Sequence, residues 1–429
     1  MDSSLKDSSQ NEKLQYFEET LQELLEHFEH SEEDPVRGRP RILSAFCLWS
    51  SVLFGVLRGF SSQLQLWKLL TFKSFWKFRA VNLSDQAVYK RLSQESDFLQ
   101  SFFEYTTESL QQRLQPHSLC LASWANGVYA IDASVLDKIK RYLPSLCETP
   151  RKDNKDLLPG RIHAAFDLNL QQWTHVLKQE NPDQNEKVTA WELIEKLPKQ
   201  SLLLFDLGYF SFEFFDRLAD ENYFWITRLR KKTSYTELHT FCESGDFSDK
   251  LVFLGKTNYR SARAVRMIRF SIGSTNYEYI TNVLEPERLS LPEIAGLYQR
   301  RWDIELAFKL LKREMNLHFF WSAKPEVIWH QVWASLAISQ IVLGFRQELA
   351  GRIGVDPFEI SMKSVVEDIP DFVMRGIDFY ERFAELGRKV GVIRPSRRVE
   401  NRAPSPKLSK YNLDISGVLL ERSPRYPGV

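Results

Sequence analysis

The sequence predicts an α/β protein built on a mixed five-stranded sheet, and three observations carry that prediction. Short apolar runs between Gly127 and Leu229 alternate with helical segments in a definite order. Two of those runs, "SLLLFD" (Ser201–Asp206) and "NYFWITRL" (Asn222–Leu229), are almost continuously apolar, the mark of strands covered on both faces. On both sides of this region the apolar period changes to that of helices.

The elements follow in order. "VYAIDAS" (Val128–Ser134) reads as a strand, and "RIHAAFDLNL" with "WTHVLKQE" reads as a hairpin closed near Asn169–Gln172. "KVTAWELIEKL" (Lys187–Leu197) has helical spacing, as does "FEFFDRLAD" before the last buried strand. The order β-β-β-α-β-α-β joins three antiparallel strands to parallel ones through crossover helices, a mixed sheet of the ribonuclease-H type. In that sheet the first and fourth strands are parallel neighbours. Residues 230–289 break the alternation. There "KLVFLGK", "SARAVRMIRFSIG" and "YEYITNVL" alternate and end in turn residues, predicting an all-β insertion. A helix follows from Leu291, opened by a capping box of Ser290 and Glu293.

Around this core the chain divides by composition. Residues 1–36 form an acidic segment, with 11 acids against two lysines before position 35. Residues 37–120 read as helical, 121–325 as the α/β domain with its insertion, 326–390 as helical again, and 391–429 as a flexible basic tail rich in Pro, Ser and Arg. The charge asymmetry fits a polyanionic partner, and equally fits two solvated ends. Arg37 and Arg39 in "RGRPR" have the make-up of a minor-groove arm or of a plain linker. Ser84 is a candidate N-cap, and the helix after it turns Gln86, Tyr89 and Lys90 to one side, as a helix-turn-helix would or an ordinary bundle could.

Several function classes are excluded. The four cysteines lie far apart without zinc spacing, which predicts a reducing, intracellular setting. The acidic N-terminus is unlike a signal peptide. No apolar run reaches the roughly 18 residues that span a bilayer. The stretch Trp329–Phe345 is interrupted by Gln331, Ser335, Ser339 and Gln340, so a buried helix is expected. No phosphate-binding Gly-rich loop is present, so no nucleotide cofactor is expected. His163 and Asp167 fall on one face of a strand and read as structural.

The segment "LYQRRWDIELAFKLLKREM" (Leu297–Met315) is helical by period. Tyr298, Arg301, Glu305 and Lys312 then share a sector about 60° wide, at about 100° per residue. They border the apolar stripe of Leu297, Ile304, Phe308, Leu311 and Met315. An ion-paired surface helix accounts for Arg301 and Glu305 by themselves. Two aspartates change the weighing. Asp132 sits in an otherwise apolar strand and Asp206 ends another, and a carboxylate there is costly unless capped, paired or metal-bound. Either alone reads as a helix cap. On parallel neighbouring strands they approach each other, and Glu305 from a helix packed on the sheet can complete the set. Three such acids repel unless cations neutralise them, and all-oxygen ligation suits Mg²⁺ or Mn²⁺.

The chain resembles a DDE transposase of the IS4 type. Its Tyr298, Arg301, Glu305 and Lys312 match that family's Tyr-x2-Arg-x3-Glu-x6-Lys signature, "IDAS" its first aspartate motif and "DLGYF" its second, over about residues 128–320. The resemblance implies that Asp132, Asp206 and Glu305 are catalytic and hold two divalent ions. It implies that Tyr298, Arg301 and Lys312 hold DNA phosphates, in keeping with a hydroxyl donor, a fork and a point charge. It further implies binding to terminal inverted repeats and target DNA, action as a dimer in a synaptic complex, and a bacterial cytoplasmic, nucleoid-associated setting. Some members flip a base onto an aromatic of the insertion. Tyr277 is the nearest candidate for that platform here, and a cross-strand packing role is the competing reading.

Overall fold

The computed structural model describes residues 15–31, 42–114, 121–136, 160–179, 186–315, 317, 320–366, 379–394 and 403–426. Arg37 and Arg39 lie outside the described residues.

One nine-stranded sheet organises the chain. Its first five strands are β1 (Val128–Val135), β2 (Arg161–Asp167), β3 (Gln172–Gln179), β4 (Leu202–Leu204) and β5 (Phe224–Arg228). β2 runs antiparallel to β1 and β3 antiparallel to β2, whereas β4 lies parallel to β1 and β5 parallel to β4. The helices that permit the parallel crossovers are Glu186–Ile194, between β3 and β4, and Phe212–Asp220, between β4 and β5. β4 is three leucines with no exposed face, as its apolar run requires.

The insertion does not form a sheet of its own. β6 (Tyr235–Ser244), β7 (Phe247–Gly255), β8 (Arg260–Ile272) and β9 (Thr275–Thr281) continue the same sheet, because β9 pairs antiparallel with β5 through Ile226–Thr281 to Arg228–Tyr279. The strand order is β3-β2-β1-β4-β5-β9-β8-β7-β6. The all-β insertion thus widens the five expected strands into one nine-stranded sheet. Residues 403–426, expected to be a loose basic tail, lie along this extension. Arg425 and Glu421 bridge to Arg260 and Arg263 of β8, and Tyr411, Ile415, Val418 and Leu420 pack on a small apolar cluster around Phe241 and Leu251.

Helices cover both faces. In chain order they are α1 (Gln15–Ser31), α2 (Ala45–Leu57), α3 (Gln63–Phe72), α4 (Asp85–Leu92), α5 (Phe98–Arg113), α6 (Glu186–Ile194), α7 (Phe212–Asp220), α8 (Leu291–Arg300), α9 (Trp302–Lys309), α10 (Pro325–Ile353) and α11 (Phe379–Leu386). Serine side chains open three of the front helices. Ser44, Ser62 and Ser84 accept from Cys47, Gln65 and Ala87 N–H groups. α6 and α7 cover one face of the sheet. α8 to α10 and the front helices share a single apolar core on the other.

α10 is the centre of that core. It is 29 residues long, and its most apolar 18-residue stretch is wholly buried inside the protein. Its polar side chains serve neighbouring backbone and side chains. Gln340 accepts from Trp173 N–H (3.0 Å) and donates to Trp173 O (2.8 Å) and to Thr107 Oγ1 (2.7 Å). Ser339 accepts from the Trp173 indole (3.0 Å), and Gln331 accepts from Trp321 N–H (3.0 Å). These bonds tie α10 to the β2–β3 hairpin and to α5.

Candidate active site

The pairing register brings the two aspartates together. Ala130 of β1 lies opposite Leu204 of β4, and both strands continue in the same direction for two residues, to Asp132 and Asp206. Each carboxylate has one oxygen committed locally. Asp132 Oδ1 accepts from Ala133 N–H (2.8 Å), and Asp206 Oδ1 accepts from Gly208 N–H (2.8 Å). The glycine in "DLGYF" keeps this turn open, since a β-carbon at position 208 would stand 3.0 Å from Asp206 Oδ1. Asp206 thus caps the short 3₁₀ turn Leu207–Tyr209. The local capping role foreseen for a lone strand-end aspartate is real and leaves its second oxygen free of protein donors among the described residues.

Glu305 arrives from the opposite side. The stretch read as one helix is broken. α8 ends at Arg300, the Arg301 N–H bonds back only three residues to Tyr298 O, α9 resumes at Trp302, and a π-helical turn covers Leu310–Glu314. A tight turn followed by a wide one rotates the later residues relative to an ideal helix. Lys312 accordingly reaches back to β1, and its ammonium donates to Val135 O at 2.5 Å.

The break is held by buried charge. Arg300 pairs with Asp303 and Asp356 (2.8 Å each), Gln171 donates to Asp303 (2.7 Å), and Arg346 of α10 donates to Gln171 Oε1 (2.7 Å). Burial pushes the Arg346 guanidinium down to about 10, still fully protonated at neutral pH. Sequence reasoning overlooked this network, whose one local trace is the i,i+3 spacing of Arg300 and Asp303.

Asp132, Glu305, Phe308, Lys309, Lys312 and Arg313 line an open cavity of about 380 Å³. Burial pushes the Asp132 carboxyl up to about 6. Asp206 and Glu305 add repulsion, while the Ala133 N–H and the Arg301 guanidinium pull the other way. So Asp132 feels both other acids. Glu305 nevertheless forms an ion pair with Arg301 (2.7 Å), and among the described residues no three acidic, His or Cys side chains lie close enough together to hold a metal as they stand. The donor chemistry of the three carboxylates suits a hard divalent cation, and Glu305 stands in an ion pair with Arg301 rather than among the aspartates.

Other predicted residues are distributed as follows. Tyr298 is buried, its ring 5.0 Å from Tyr279 and under the Arg228 guanidinium. Burial raises its phenol, which stays protonated. Tyr277 lies directly opposite Phe270 across the β8–β9 pair with rings stacked at 5.1 Å, the cross-strand arrangement. Gln86 and Lys90 are exposed and Tyr89 half-buried on α4, away from the acids in sequence and on the outer surface of the helical front. His163 bonds to Gln179, and Asp167 caps the hairpin turn through the Asn169 and Leu170 N–H groups, so both have structural partners.

Two neighbours were not singled out by the sequence. Tyr209 is buried with no hydrogen-bond partner for its hydroxyl among the described residues, and its phenol is held well above the ordinary range by burial and by Asp132, Glu186 and Asp206. Glu186, paired with Arg161, has a carboxylate oxygen 3.6 Å from the β-carbon position of Gly208. Tyr209 lies within the "DLGYF" stretch quoted for Asp206, whereas Glu186 carries no sequence pattern that would have marked it.

The family model for a transposase DDE domain matches residues 127–340. The transposase InsG for insertion sequence element IS4 of Escherichia coli K12 is 27% identical over 171 residues, 37% of this chain and 38% of that protein. A probable transposase for element IS5377 of Geobacillus stearothermophilus is 24% identical over 143 residues, 32% of this chain and 37% of its own. A putative transposase for element IS4SA of Synechocystis is 25% identical over 157 residues, 35% of this chain and 43% of its own. Each match therefore spans less than half of the relative. A piggyBac transposase synaptic complex with hairpin DNA, solved by cryo-electron microscopy, aligns over 92% of this chain and 85% of its own at 10% identity and a TM-score of 0.40, a loose likeness. With Asp132, Asp206 and Glu305 in that order inside the matched segment, the chain belongs to the DDE transposase family of the IS4 type.

Proposed function

We propose that the chain is the transposase of an insertion sequence, binding terminal inverted repeats and moving the element by hydrolysis and strand transfer. The observation that carries this reading is the register-matched pair Asp132 and Asp206 with Glu305 in the same electrostatic neighbourhood, bordered by Arg301, Lys309, Lys312 and Arg313. An acidic centre with basic margins suits a polyanion that arrives with cations.

Asp132, Asp206 and Glu305 would hold two Mg²⁺ or Mn²⁺ ions, whose chemistry is Lewis-acid stabilisation of the phosphodiester oxygens. The protein's own part is positional. Tyr298, Arg301 and Lys312 hold the phosphates that flank the scissile bond. Arg301 exchanges Glu305 for a DNA phosphate, and in doing so frees Glu305 to turn toward the aspartates. In the first step water adds to phosphorus, the P–O3′ bond breaks, and a 3′-hydroxyl and a 5′-phosphate remain. In the second that 3′-hydroxyl attacks a target phosphodiester. Both displacements depend on alignment and on charge placed beforehand. The strand order β3-β2-β1-β4-β5 supports a ribonuclease-H-like core at 121–325, with 37–120 as the end-binding region. A dimer would synapse two ends in the bacterial cytoplasm, at the nucleoid.

The Arg301–Glu305 ion pair favours a second reading, a DNA-binding relative without chemistry. The test uses linear DNA carrying the inverted repeats that flank the coding region, with Mg²⁺. The proposal expects nicked ends and joined products from the natural chain, and Glu305→Gln should bind the ends and cut none. Binding without cutting by the natural chain favours the second reading. Cutting without joining reduces the protein to a nuclease.

A further inference from the structure

Next to the turn that follows Asp206, the loop joining β5 to β6 meets the β7–β8 hairpin loop. The loop after β5 carries Arg230, Lys231 and Lys232, and the β7–β8 loop carries Lys256, Thr257 and Asn258. They are tied together where Gly255 N–H donates to Ser234 O (2.7 Å). With Phe210, Phe212 and Tyr259 they line an open cavity of about 350 Å³.

Four features mark this cavity as a binding site. Its lining includes four cationic side chains and no acid. Among the described residues Lys231, Lys232 and Lys256 have no carboxylate partner, although carboxylates neutralise exposed cations such as Lys199, Lys250 and Arg263 elsewhere on the surface. The frame is also rigid. Lys232 holds a left-handed backbone at φ 65°, unusual for a side-chain-bearing residue, in a turn closed by Thr233 N–H and Oγ1 on Arg230 O (3.1 and 2.7 Å). Tyr259 stacks on Phe212 at 4.1 Å and accepts from its N–H (2.9 Å). Finally, the cavity adjoins the acids directly. Arg230 lies over the Phe210 ring and donates to Leu207 O, the residue after Asp206.

We infer that this cavity is a phosphate-binding subsite for the DNA backbone, one that grips the strand beside the acid cluster. The inference rests on the proposed action on DNA. The occupant is a phosphodiester backbone rather than a base, because the rings of Phe212 and Tyr259 are stacked on each other and the exposed cations beside them are Lys231, Lys232 and Lys256. Lys312 and Arg313 in the Asp132–Glu305 cavity and Lys231, Lys232 and Lys256 in this one would hold one strand near the scissile bond.

The test measures binding of a fluorescent 30-base-pair duplex of mixed sequence to the full chain as KCl is varied. Each lost phosphate contact lowers the slope of log K against log[salt] by about 0.9. Combining Lys231→Gln, Lys232→Gln and Lys256→Gln should lower it by about 2–3 and weaken binding tenfold or more at low salt. Combining Lys196→Gln, Lys199→Gln and Lys389→Gln, exposed sites elsewhere, should change it by less than about 1. Circular dichroism verifies that both variants fold. An unchanged slope in the first variant overturns the subsite and leaves the DNA reading intact. Equal losses in both variants overturn it as well, as diffuse charge. A natural chain that shows no salt-dependent binding removes the proposed function and the subsite together.

Discussion

Burial pushes the Asp132 carboxyl up to about 6 from the ordinary 3.8, so its ionisation opposes folding. At about 1.36 kcal/mol per unit, the difference is worth about 3 kcal/mol as an upper bound. The sign follows from proton uptake. Between about pH 4 and 6 the folded chain binds the proton that the unfolded chain has lost, so this contribution to stability falls as pH rises through that window and is flat above it. Asp132→Asn removes the charge and keeps the shape. In urea unfolding with EDTA at pH 7.5, the variant should be more stable than the natural chain by on the order of 1–3 kcal/mol, and the gain should shrink toward zero near pH 4. Added Mg²⁺ should stabilise the natural chain and leave the variant nearly unmoved, because a ligand stabilises only the state that binds it. A variant no more stable at pH 7.5, or a gain independent of pH, would refute the claim that Asp132 is a buried carboxylate left uncompensated here.

Gln340→Leu should destabilise the chain by about 2–4 kcal/mol in the same assay, since it leaves the Trp173 backbone N–H and C=O unpaired in the core. Arg301→Ala should reduce DNA affinity and cleavage together, and should also raise the Asp132 titration midpoint, which carbon-detected NMR of the carboxyl would read. An unmoved midpoint would place Arg301 outside the acid cluster's field.

Much of the sheet was legible because apolar runs report burial directly. Leu202–Leu204 and Phe224–Ile226 could hardly be anything but central strands, and their parallel register then carries Asp206 to Asp132. The edge strand β6 went unread because Tyr235–Ser244 is mostly polar and half-exposed, with no clean alternation. That the insertion extends the main sheet depends on pairing between Ile226 and Thr281, a contact between distant residues that no local pattern encodes. The helix of Glu305 was read as continuous because its period is good. Its break at Arg301 is enforced by Asp356, Gln171 and Arg346, which lie far away in sequence. In the tail, Pro, Ser and Arg obscured the few apolar residues (Tyr411, Ile415, Val418, Leu420) that fasten it to the insertion.

The long central helix α10 has a practical consequence for anyone wishing to isolate the α/β region. Trimming the protein before Pro325 would strip the Trp173 hairpin of its hydrogen-bonding partners, deprive Gln171 of Arg346, and leave one face of the sheet greasy and bare. Such a fragment should clump rather than fold, and a protease nick within α10 should silence the distant acids as surely as a mutation among them.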